Sequence, residues 1–108
     1  MTSAAAHSLE ALWAELWTSL ASLLRSYTAA HGLHSNREAA VELTEEKITV
    51  RHGQKWLRLE RNYAILTWTR ENGSSGSMEI LHSGRLRSGA NEEEMDLAAE
   101  AWARELMR

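Results

Sequence analysis

Residues 41–69, VELTEEKITVRHGQKWLRLERNYAILTWT, decide the fold. Apolar and polar residues alternate through four short runs. Val41 and Leu43 alternate with Glu42 and Thr44, and Ile48 and Val50 with Thr49 and Arg51. Leu57 and Leu59 sit among Trp56, Arg58 and Glu60, and Leu66 and Trp68 among Ile65, Thr67 and Thr69. Side chains on a strand point to opposite faces in turn, so this period of two predicts antiparallel strands with one buried face. The turns are an independent check. Gly53-Gln54 suits a two-residue hairpin with glycine first, which puts Val50 opposite Leu57 and Ile48 opposite Leu59. Closing the preceding hairpin at residues 44–47 puts Leu43 opposite Ile48. A two-residue loop near Asn62 keeps Leu57, Leu59, Leu66 and Trp68 together. Three turns placed from local residues thus agree on one inner face.

Helices are expected on either side of this block. Ser8 to His31 places Leu9, Leu12, Trp13, Leu16, Leu20, Leu23, Leu24 and Tyr27 at spacings of three and four, the mark of one apolar helix face. Ser8 is the expected N-cap. Gly32 is the expected left-handed stop, with Leu33 folding back on the last turn. Residues 1–7 are expected to be disordered. Trp17 widens the apolar face and calls for cover from a second helix or another subunit. NGSSGS (72–77) reads as a flexible loop, Met78–Leu81 as a fifth strand and Arg85–Arg87 as a short sixth. Asn91 with Glu94 resembles a capping box, so a second helix is expected from there to about Met107, with Glu92, Glu93 and Glu94 in its first turn and Met95, Ala99, Trp102 and Leu106 buried.

These elements predict a single α+β domain over 1–108: a two-layer sandwich whose antiparallel meander of four to six strands carries both helices on one face. The order helix, sheet, helix resembles the frataxin-like fold. That resemblance spans most of the chain and rests on element order. It implies metal carriage through an acidic ridge on the first helix and first strand. Here the first helix carries Glu10 and Glu15 beside Arg25.

Composition narrows the function classes. The chain has 108 residues, 44% hydrophobic and 25% charged, with no Cys and no Pro. There is no disulfide framework, thiolate metal site or Cys nucleophile, which favours a reducing, cytoplasmic setting. No basic N-terminal region precedes an apolar run, and no apolar stretch is long enough to span a bilayer. The net charge of -3 is uneven: residues 1–36 carry -1, 37–87 carry +2 and 88–108 carry -4.

No motif assigns an enzyme or a cofactor. There is no nucleophile elbow, Ser74-Ser75-Gly76 falls in the expected loop, and a small two-layer core offers no obvious pocket for paired carboxylates. His7, His31, His34, His52 and His82 lack the convergent spacing a metal requires. Glu92, Glu93, Glu94 and Asp96 read as helix-dipole charges, or as a weak divalent-cation site. Arg85, Arg87, Ser88 and Gly89 before a helix could cradle an anion, against the repulsion of the neighbouring acids. The outer sheet face is the most informative surface. It carries Arg51, Trp56, Arg58, Tyr63 and Ile65, and Arg51 should reach across to Trp56 for cation–π stacking. Three readings follow: a mixed solvated face, a protein contact or homodimer surface through those five residues, or a platform for nucleic acid or anionic ligands. In the last, Arg51 and Arg58 would meet phosphates while Trp56 and Tyr63 stack on bases.

Overall fold

Period-two alternation is realised as a seven-stranded antiparallel meander in a computed structural model that describes residues 2–33 and 37–108, with side chains from Leu9 onward. The elements are α1 (Thr2–His31), β1 (Ala40–Leu43), β2 (Lys47–His52), β3 (Lys55–Asn62), β4 (Ile65–Arg70), β5 (Ser75–Ile80), β6 (Arg85–Ser88), β7 (Asn91–Glu94) and α2 (Met95–Leu106). Each strand pairs with its neighbour in sequence. The first two hairpins have the expected register, Leu43 opposite Ile48, Val50 opposite Leu57 and Ile48 opposite Leu59, and the third keeps Leu59 and Trp68 on one face by setting them opposite each other.

One sheet face is dry. Ile48, Val50, Leu57, Leu59, Leu66, Ile80 and Leu86 are buried under Leu20, Ala21 and Leu24 of α1 and Met95, Ala98, Ala99 and Leu106 of α2. Burying such side chains contributes about 1.5–3 kcal/mol each before conformational entropy is counted. The helices lie side by side in parallel: the Tyr27 hydroxyl donates to Asp96 Oδ1 at 2.5 Å and His31 Nε2 meets Glu100 Oε2 at 2.8 Å. Asp96 accepting that hydrogen bond, helped by burial and by the nearby Asp96 and Glu100 charges, raises the Tyr27 pKa above its ordinary value.

Several expectations are corrected. The sheet has seven strands because Asn91–Glu94 pairs with β6 instead of opening the helix. Gly89 (φ 62) turns the chain there, and Arg85 faces Glu94 and Arg87 faces Glu92 across the ladder. The glycine turn and the Arg85–Glu94 ion pair across the ladder favour the strand over the capping box. The helix then starts at Met95, with Asp96 as its first-turn acid and no side-chain cap on Glu94.

Ser75, Gly76 and Ser77 belong to β5, opposite Thr69, Trp68 and Thr67, instead of a flexible loop. The Trp68 indole covers Gly76 so closely that a Cβ there would lie 2.6 Å from Nε1. The aromatic ring supplies the packing that the glycine lacks.

α1 begins at Thr2, so residues 2–7 are helical and Ser8 lies inside the helix; Ala4–Ala6 favour this extension. Gly32 has no left-handed φ, and Leu33 is 78% exposed instead of folded back. Glycine suits the position because a Cβ would lie 2.9 Å from the backbone Thr28 carbonyl oxygen; Met107 Cε, at 2.8 Å, is the movable end of a side chain. Trp17 needs no second subunit. It is buried, its Nε1–H donates to Thr44 O at 3.0 Å, and the Arg61 guanidinium lies over its ring. No helix is long and apolar enough to cross a membrane among the described residues.

Candidate interaction face

The two helices share the inner side of the sheet, which leaves the other side uncovered. Register places Thr49 and Arg51 of β2, Trp56, Arg58 and Glu60 of β3, and Ile65, Thr67 and Thr69 of β4 on that side. Leu57 and Leu66 are buried, while Trp56 is half-buried on the outer face. The facing on which the surface map depends is therefore the observed one.

Of the five singled-out residues, Arg51, Trp56 and Arg58 come together. Arg51 stands directly across from Trp56. The cation over the indole is Arg58, 5.2 Å from the ring centroid, in place of the expected Arg51. Two residues apart on one strand, Arg58 shares a face with Trp56 and can lay its stem and head along the ring. Glu71, beyond the end of β4, fixes the base of this cluster. Its carboxylate accepts from the Trp56 N–H at 3.2 Å, and its own N–H donates to Trp56 O at 3.3 Å.

Ile65 and Tyr63 lie elsewhere. Ile65 is 46% exposed and pairs with Asn62, six residues along β3 from Trp56, a separation of about 20 Å. Tyr63 is not on the sheet face. It occupies the tight β3–β4 turn with φ 55, a left-handed conformation uncommon for an aromatic residue, and is 71% exposed. It borders a hollow with Leu9, Glu10, Trp13 and Arg61 at the end of the sheet. Polar Glu60, Thr67 and Thr69 separate the two groups, so the outer face has an Arg–Trp cluster at one end and an isolated Ile65 at the other.

The remaining candidates do not converge. Glu92 and Glu94 share the outer face of β7 with Glu93 opposite, so the acidic run cannot close on one ion. Arg85 and Arg87 precede a strand turn instead of a helix N-terminus; Arg85 pairs with Glu94 and Arg87 with Glu79. His31 is engaged by Glu100 and His82 packs on the Trp13 ring. His34 lies outside the described residues, as does the His7 side chain. Among the described residues no three His, Cys, Asp or Glu side chains gather into a group able to hold a metal.

Arg61 is not among the residues expected to form a site, although its position carries a signal. It continues the inward series Leu57, Leu59, and a cation at an inward position announces a buried charge. Its side chain is 7% exposed, donating to the carbonyls of Glu45 and Tyr63 and to Glu10 Oε1. It thereby ties α1 to two turns. Hollows do form, contrary to the expectation from a small core, but at the margin of the sheet. One of about 610 Å³ lies between α1 and Leu43, Thr44 and Arg61. Another of about 640 Å³ lies between the far half of α1 and Ala39 and Val41. Compared with known proteins, the chain matches no family model, no curated protein and no solved structure.

Proposed function

We propose that the chain is a non-enzymatic contact module that docks another protein on its uncovered sheet face, with Arg51, Trp56 and Arg58 as the contact centre. The observation that carries this reading is the Arg58–Trp56 stack beside Arg51 on a face that neither helix covers. Trp and Arg are the side chains that most often anchor protein interfaces, because a large flat surface and a multidentate cation lose little entropy on binding. Ile65 and Tyr63 contribute only to a partner broad enough to reach along β3. Nucleic acid is the less favoured occupant. One face of the Trp56 ring already carries Arg58, and Glu42, Glu60 and Glu79 share the sheet face.

The test is quantitative capture of partners by the wild-type chain and by Trp56→Ala. A partner that saturates on wild type and is lost with Trp56→Ala supports the reading. Identical capture by both overturns it. Trp fluorescence titrated with single-stranded oligonucleotide separates the alternative: salt-sensitive quenching at low ionic strength would replace the protein partner with nucleic acid.

A further inference from the structure

The sheet has two edges, and they are built differently. β7 is exposed along its whole length and bristles with Glu92, Glu93 and Glu94, the kind of charged, short edge that resists further pairing. β1 is as short but carries a single charge, Glu42, on the outer face between two apolar residues. Val41 and Leu43 turn inward yet stay only half-buried, because no element lies beyond them among the described residues. The Thr44 N–H donates to Lys47 O at 2.8 Å, across the turn into β2. Ladder bonds alternate along an antiparallel strand, so Ala40 and Glu42 direct their peptide groups toward β2. Those of Val41 and Leu43 point to the open side.

Above this edge lies α1. It rests on β1 more than on any other strand, whereas α2 covers β3, β6 and β7. The flank of α1 beyond β1 presents Ala11, Ala14, Thr18, Arg25 and Ala29, which line the two marginal hollows together with Leu43 and Val41. From Ala11 to Ala29 this flank runs about 27 Å. Small side chains there leave room for another helix to approach. The hollow near Leu43 also holds two buried polar atoms without a partner among the described residues, Arg61 Nε and Glu10 Oε2.

We propose that the β1 edge and this α1 flank form the docking surface for a second copy of the chain, related by a two-fold axis. The charge distribution selects that occupant. Antiparallel pairing of β1 with its copy also sets α1 antiparallel to its copy. The end bearing exposed Glu15, Glu45 and Glu46 against Lys47 is net negative, and it then faces the net positive end of the second copy, where Arg25 and Arg37 outnumber Glu38, twice over. With one edge open and the other charged, pairing closes at two copies instead of growing into a filament. The two sheets become continuous, and both Arg51–Trp56–Arg58 clusters lie on the same side of it near the axis. The inference does not depend on what that outer face binds.

Light scattering and sedimentation equilibrium on the full chain test it. Wild type should weigh twice 12.2 kDa at high micromolar concentration and dissociate on dilution. Val41→Pro removes an outward N–H, spares the ladder to β2, and should give a monomer with unchanged circular dichroism. Val41→Lys provides the same readout if the proline variant does not fold. Arg25→Glu should weaken association by about tenfold, and Glu15→Arg added to it should restore the affinity. Trp56→Ala should leave the mass unchanged. A wild-type monomer throughout, or a dimer that survives both Val41 variants, overturns the proposal. So does a dimer dissolved by Trp56→Ala alone, which would move self-association to the outer face.

Discussion

β1 and β7 are both four-residue strands at the margins of the same sheet, yet different forces hold them. β1 is anchored by apolar contact. Val41 and Leu43 pack on the core cluster, and Trp17 of α1 reaches over to take the carbonyl of Thr44. β7 has no buried residue, and what fixes it is a glycine turn and the charge pattern facing β6. An edge held by apolar side chains keeps them partly exposed and remains sticky. An edge held by charges protects itself. The chain has one of each, which gives it a direction for association.

The largest difference between the two edges lies at Trp17. Trp17→Ala removes a buried indole, its hydrogen bond to the β1–β2 turn and the ring beneath Arg61. It should cost about 3–5 kcal/mol in urea denaturation. Glu93→Ala on the other edge should stay within about 0.5 kcal/mol. Equal costs would mean that the two edges are held alike. A smaller effect is expected at Gly89, whose φ of 62 suits glycine. Gly89→Ala should cost about 1 kcal/mol and loosen β7. Freed from β6, Asn91–Glu94 has a helical alternative, so circular dichroism should show a slight gain in helix. No change in stability would remove the turn as the reason for the seventh strand.

This competition explains what was legible in the sequence and what was not. Register across β1–β4 could be read because every strand there has two or more apolar residues at period two, and a one-residue slip would expose all of them. Asn91–Glu94 has no apolar residue to declare a face. Its local code supports a helix cap equally well, and the Gly89 turn and the facing Arg85 decide. Gly76 is similar. Its strand conformation depends on Trp68 across the ladder, which local composition does not reveal. At the outer face, the nearness of Arg51, Trp56 and Arg58 followed from register alone. The displacement of Tyr63 did not, because it depends on which two residues form the turn. The marginal hollows depend on α1 lying over β1, a matter of helix placement that strand periodicity leaves open.

The smallest expected effect lies at the seam between the helix that covers β1 and the helix that follows β7. Tyr27 keeps its proton more tightly in the fold, by its bond to Asp96, than in the unfolded chain. That contribution is complete below the ordinary tyrosine pKa of about 10 and is lost as pH rises through the higher folded value. Wild type should therefore lose stability between neutral and strongly alkaline pH by more than Tyr27→Phe does. The variant should also lack an ultraviolet phenolate transition above the ordinary range. Parallel pH curves for the two proteins would detach the seam from Asp96.

The asymmetry of the edges is tested most directly by amide hydrogen exchange read residue by residue at several protein concentrations. The Val41 and Leu43 amides, which point away from β2, should become more protected as concentration rises. The outward amides of β7 should exchange quickly throughout. Val41 and Leu43 amides that exchange at one fast rate at every concentration, or protection that grows on β7 instead, would contradict the account.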